Sequence, residues 1–129
     1  MTSPLAGSFI AVGIGAALGA WLRWGLGTWL NPRTGALPLG TLAANLIGGF
    51  LVGVAVAAFA DRTEIAPAWR LFIITGFLGG LTTFSTFSAE SVALLMRGSY
   101  GWALAHTAAH LLGSLALAAL GIATYRAFA

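Results

Sequence analysis

One stretch of the chain gathers chemistry that plain apolar sequence lacks. Residues Gly76 to Ser88 read G-F-L-G-G-L-T-T-F-S-T-F-S. Five of the seven residues from Thr82 to Ser88 carry hydroxyls (Thr82, Thr83, Ser85, Thr86 and Ser88), with Phe84 and Phe87 set among them. Gly76, Gly79 and Gly80 precede the run. A glycine-rich break followed by Thr82 and Thr83 can turn backbone carbonyls toward a hard cation. Phe84 and Phe87 are spaced i, i+3 and share a helix face. The edge of a phenyl ring carries partial positive charge and can face a small anion. Backbone, hydroxyls and ring edges together suit an ion, where a simple lipid-facing helix would carry none of them.

Two further sets of polar residues lie inside apolar sequence. Asn45 sits in G-T-L-A-A-N-L-I-G-G-F, from Gly40 to Phe50. Its amide offers two donors and one acceptor oxygen, for an interhelical bond or for a passing anion. His106, His110 and Ser114 are spaced i, i+4, i+8 and form one helical stripe. A histidine pair at i, i+4 can also hold a metal or haem, but no third ligand or carboxylate accompanies it in the sequence. Packing between helices is the plainer role. Arg23 can snorkel to a membrane surface or raise the anion concentration in a vestibule. Glu90 is expected on the same side, where an Arg23–Glu90 pair is possible.

These residues need scaffolding, and composition says of what kind. The chain has 129 residues, 59% hydrophobic and 7% charged. Soluble domains carry roughly 25% charged residues. The mean hydropathy is +0.93. The class is an all-α integral membrane protein, with residues 1–129 as a single channel-sized unit. Charge-free runs place four spans at about 6–30, 38–60, 70–95 and 101–126. Each is long enough for the ~20 apolar residues that cross a bilayer core. Lipid-exposed backbone must satisfy its own hydrogen bonds, so all four are helices. The third is broken near its middle. No charged n-region precedes the first span, which argues against a cleaved leader.

The connections carry suitable punctuation. Asn31-Pro32-Arg33-Thr34-Gly35 makes a turn, Pro67 opens span three, and Arg97-Gly98-Ser99-Tyr100-Gly101 makes a short turn. Trp21, Trp24, Trp29, Trp69, Tyr100 and Trp102 fall at interfacial depth. Topology then puts Asn45 and the histidine stripe in one half of the membrane, as a polar track.

All six basic residues are arginine, and there is no cysteine. Scattered arginines make no nucleic-acid patch, and without cysteine there is no disulfide framework. Four spans put Arg62, Arg70 and Arg126 on one side and Arg23, Arg33 and Arg97 on or near the other, three against three. So slight a positive-inside bias predicts insertion in both orientations. Eighteen glycines, with patterns such as Gly15-x-x-x-Gly19, Ala44-x-x-x-Gly48, Gly49-x-x-x-Gly53 and Ala105-x-x-x-Ala109-x-x-x-Gly113, predict close helix packing and oligomerisation.

With these residues in view, the chain resembles the Fluc (CrcB) family of fluoride channels. The matching stretches are G-A-x-L-G-A-W-L-R from Gly15 to Arg23, G-T-L-x-x-N-L-x-G-G-F from Gly40 to Phe50, and the run from Gly76 to Ser88. The resemblance implies an antiparallel, dual-topology homodimer in the bacterial inner membrane, with two fluoride pores that each use residues of both subunits. It implies passive fluoride export, which lowers cytoplasmic fluoride and confers fluoride resistance. It also implies a structural Na+ at the dimer centre, held by the backbone carbonyls of Gly79 and Thr82. The pore residues it implies are Asn45, Phe84, Phe87, His106, His110 and Ser114, with Thr41 as a weaker neighbour. Arg23 and Glu90 would serve the vestibule. Helix four departs from the family, where tyrosine and serine often stand at the positions of His106 and His110. Histidine titrates near neutral pH, so protonation is expected to attract fluoride and alter flux.

Two other functions fit the size. A dual-topology proton-coupled multidrug exporter wants a carboxylate deep in a span, and Asp61, Glu64 and Glu90 all lie at or near span ends. A non-transporting scaffold or metal carrier would use the histidine pair. No nucleophile–base or carboxylate pair suggests an enzyme.

Overall fold

The computed structural model describes residues 3–31 and 37–129, and its described secondary structure is helical throughout. Helix α1 runs from Pro4 to Leu30 and α2 from Leu39 to Asp61. Span three is composite. It begins as α3 (Pro67–Arg70), continues as a π-helical stretch (Leu71–Leu78) and a short α4 (Gly79–Leu81), and resumes as α5 (Phe84–Met96). Helix α6 runs from Tyr100 to Phe128. Four segments, Pro4–Leu30, Leu39–Asp61, Pro67–Met96 and Tyr100–Phe128, are long and apolar enough to cross a membrane.

Local sequence explains the helix ends. The Ser3 hydroxyl accepts from the Ala6 amide at 3.1 Å, and Pro4 follows, where a missing N–H costs nothing. Asn31 Oδ1 accepts from the Gly40 amide at 2.6 Å, so the end of α1 caps the start of α2. The rest of the expected turn, Pro32 to Gly35, lies outside the described residues. Pro67 opens span three as its position suggests. Gly98 ends α5 with φ of +76°, a left-handed conformation that favours glycine. The Gly98 amide then donates to Leu95 O at 3.0 Å and the Ser99 amide to Leu94 O at 2.9 Å, a Schellman closure.

Glycines set how closely the helices approach. A Cβ on Gly15 or Gly19 would run into the backbone of span three, at Phe72 and Phe77 respectively. From the other side, a Cβ on Gly76 would lie 2.7 Å from Val12 O, and one on Gly80 would clash with Ala16 O. Along this π-wound stretch the backbone at Phe72 and at Phe77 lies against α1. Helix α2 packs along α6 in the same manner, Gly53 against Ala118 and Gly121 against Phe50. Without a hydrophobic drive between helices in lipid, such backbone contact is the main source of packing energy. The small core comprises Ala44, Ala55, Phe59, Leu78 and Leu81. Many large apolar side chains face outward, among them Phe9, Trp24, Trp29 and Leu104, as a lipid-embedded protein requires.

The break in span three falls on the threonines. Gly79 keeps helical angles (φ −63°, ψ −37°), whereas Thr82 (−90°, 156°) and Thr83 (−151°, 120°) are extended. Gly76 and Gly80 are occupied in the α1 contact, so the chain opens one turn later.

Candidate ion pathway

The break is held by side chains from three helices. Thr82 donates twice to Leu78 O, from its amide at 3.0 Å and its hydroxyl at 2.8 Å. Thr83 Oγ1 accepts from the Thr86 amide at 3.1 Å and so caps α5. Asn45, from α2, reaches across: its Oδ1 accepts from the Thr83 amide at 2.8 Å, and its Nδ2 donates to Thr83 O at 3.0 Å. Arg23, from α1, donates through Nε to Gly80 O at 3.1 Å. The arginine expected to snorkel or meet Glu90 thus serves a carbonyl next to the break.

This pattern frees particular carbonyls. In an unbroken α-helix the Thr83 amide would donate to Gly79 O and the Thr86 amide to Thr82 O. Here the first goes to Asn45 and the second to the Thr83 hydroxyl. Gly79 and Thr82 therefore hold carbonyls whose helical donors have been taken elsewhere.

The polar stripe of α6 meets α2 and α5 beside the break. Asn45 Nδ2 lies 2.9 Å from His110 Nδ1, so the asparagine and the histidine stripe do come together. Asn45 gives its amide hydrogens to Thr83 O and His110. The His106 and His110 rings lie 4.4 Å apart, centroid to centroid. Both rings are buried, at 1% and 3% exposure. Glu90 joins this network through two contacts. Its Oε2 accepts from the Thr41 hydroxyl at 2.8 Å, and its Oε1 lies 3.5 Å from His106 Nε2. Among the described residues, Glu90 Oε1, His106 Nε2 and His110 Nε2 are buried without a hydrogen-bond partner. A carboxylate does accompany the histidine pair in space: ligand-type atoms of Glu90, His106 and His110 lie within 4.8 Å of one another.

The two phenylalanines divide. Phe87 is buried and lies 4.7 Å from His110 and 5.6 Å from His106, centroid to centroid. Phe84 meets Phe87 edge-on at 5.4 Å, but is 76% exposed. Both line an open concavity of about 350 Å³ that also takes in Asn45, Thr83, His110 and Ser114. Gly79 and Thr82 border the same concavity. Sequence reasoning did not single out the Thr83 peptide as a brace; an asparagine and an extended Thr-Thr pair on different spans carry no visible register. The Thr41–Glu90 bond was missed for the same reason.

Four membrane-crossing helices, a third span broken around a braced peptide, and a buried polar cluster beside the break define a multi-pass membrane protein. The chain belongs to the family described as CrcB-like protein, Camphor Resistance (CrcB), whose model matches residues 10–122. It is 63% identical over 121 residues to the fluoride-specific ion channel FluC of Cupriavidus pinatubonensis, covering 94% of this chain and 96% of that one. It is 58% identical over 120 residues to the protein of the same name from Chromohalobacter salexigens, covering 93% and 91%. With that of Ralstonia pickettii the identity is 59% over 120 residues, covering 93% and 95%.

Proposed function

We propose that this protein is a fluoride-selective channel of the bacterial inner membrane. The observation that carries this reading is similarity along nearly the whole chain, at 58–63% identity, to relatives named as fluoride-specific channels. Fluoride is small and strongly hydrated, so a pore must replace its water with donors. The imidazole N–H groups of His106 and His110 and the Ser114 hydroxyl can do so, with Thr41 in the same track holding Glu90 and the ring edges of Phe84 and Phe87 alongside. Asn45 belongs to this pore and orients the groups around it. Arg23 and Glu90 supply charge near the path. Hydrogen fluoride formed in acid crosses membranes and ionises inside. A passive channel then lets the anion leave down its electrochemical gradient and lowers cytoplasmic fluoride.

The working unit is an antiparallel homodimer with two pores, each subunit being a single four-span domain. The near-even split of arginines supports insertion in both orientations. The exposure of Phe84 beside buried Phe87 supports a second copy over the concavity. A structural Na+ fits at the dimer centre, since the Gly79 and Thr82 carbonyls have lost their helical donors and oxygen is the ligand such a hard cation takes. When bound it would supply fixed positive charge near the two paths.

The test is efflux from liposomes loaded with fluoride or chloride, followed with ion-selective electrodes. Rapid fluoride loss without chloride loss is expected. Verified, folded protein that passes no fluoride overturns the reading.

A further inference from the structure

The bonds around Asn45 determine where His110 carries its proton. A peptide N–H can only donate and a peptide C=O can only accept. Thr83 presents both to Asn45, at 2.8 and 3.0 Å, so Oδ1 must face the first and Nδ2 the second. The remaining Nδ2 hydrogen is then aimed at His110 Nδ1, 2.9 Å away. A donor at that distance needs a lone pair on Nδ1. We propose that Asn45 locks His110 in the neutral tautomer with its proton on Nε2, so that the ring offers the ion path an uncharged hydrogen-bond donor.

The surroundings agree. His110 is 3% exposed, and its Nε2 has no hydrogen-bond partner among the described residues. The groups facing the ring are Phe87 from α5, His106 from its own helix and Asn45 from α2. Glu90, the acid of the cluster, has its Oε1 beside His106 Nε2 at 3.5 Å. A proton added at Nδ1 would set N–H against N–H. Turning the Asn45 amide to relieve that would break both bonds to Thr83. The lock therefore opposes formation of a His110 cation, against the expectation that this histidine titrates to attract the anion.

The same lock bears on the cluster of Glu90, His106 and His110. A metal on His110 Nε2 while Nδ1 accepts from Asn45 would require an imidazolate. Metal-ligating histidines instead donate their other N–H. The geometry thus favours a donor for an anion over a metal ligand at His110. The lock rests on the hydrogen bonds alone, and its use in permeation rests on the channel reading. A neutral donor suits conduction, because a site must be weak enough for the ion to leave.

The experiment is nitrogen NMR on full-length protein in liposomes with 15N-labelled histidine. The chain has two histidines, so His106→Gln leaves His110 as the only signal. The expected spectrum shows an unprotonated Nδ1 and a protonated Nε2, unchanged from about pH 5.5 to 8, where free imidazole titrates. In unsubstituted protein one of two rings should behave this way. A proton on Nδ1, or titration of that ring within the range, overturns the lock. Asn45→Ala should release Nδ1 and let the proton distribute over both ring nitrogens; a ring that keeps its proton on Nε2 alone without Asn45 overturns the assignment of the lock to Asn45. Efflux measured on the same liposomes separates the two ideas, since absent fluoride flux with a locked ring removes the channel reading only.

Discussion

Asn45 and Thr83 meet as two amides, side chain against backbone, with bonds of 2.8 and 3.0 Å in opposite directions. The pair splices α2 to the one place where span three leaves the helix. It supplies both polar groups of an unwound peptide that lipid would leave bare. It also diverts the amide that would otherwise serve Gly79 O.

Replacing Asn45 should therefore damage fold and flux together. Asn45→Ala leaves the Thr83 amide and carbonyl unpaired, at a cost of about 1–3 kcal/mol for each buried group. Asn45→Asp keeps the acceptor for the Thr83 amide but sets a second oxygen against Thr83 O. Thermal unfolding in detergent should show a lowered midpoint for both, and liposome efflux should fall by about tenfold or more, the factor equivalent to 1.4 kcal/mol.

Phe84 and Phe87 should respond differently. Phe87 is buried against the histidines, so Phe87→Ala should lower stability by about 3–5 kcal/mol. Phe84 is largely exposed in the single chain, so Phe84→Ile should leave subunit folding intact and slow fluoride efflux. Normal efflux from Phe84→Ile would separate this ring from the pore.

The Thr41–Glu90 bond predicts a graded series. Thr41→Val removes the hydroxyl donor to Glu90 Oε2, while Thr41→Ser retains it. Leaving a buried acceptor without its donor costs about 1–3 kcal/mol. Thr41→Val should therefore depress efflux, with Thr41→Ser close to the unsubstituted rate.

Glycines along α1 should sort by contact. Gly19→Val would drive side-chain carbon into the backbone at Phe77 and Leu81, whereas a Cβ on Gly13 meets nothing within 4 Å among the described residues. Size-exclusion chromatography in detergent should show loss of folded protein for Gly19→Val and normal elution for Gly13→Ala.

Much of the scaffold was legible along the chain. Charge-free runs mark the four spans because hydrocarbon excludes unpaired charge, and the helices extend a few residues past them at most ends. Pro67 and Gly98 mark a start and a stop because their backbone preferences are local. The stripe of His106, His110 and Ser114 follows from helical period alone. The run after Gly76 marked the region of the break, though Gly76 and Gly80 proved to serve the contact with α1 and the extended residues are Thr82 and Thr83.

Partners across helices were a different matter. The sequence by itself determined membrane class, span number and which residues share a face, since these depend on composition and local geometry. Only the tertiary structure decided that Arg23 serves Gly80 O, that Glu90 joins Thr41 and His106, and that Asn45 spends its hydrogens on Thr83 and His110. The physical reason is range. A hydrogen bond forms only within about 3.2 Å and near-linear geometry. Whether two groups on different spans meet that condition depends on helix rotation and register, set here by glycine contacts and the π-wound stretch, which no spacing along the chain records.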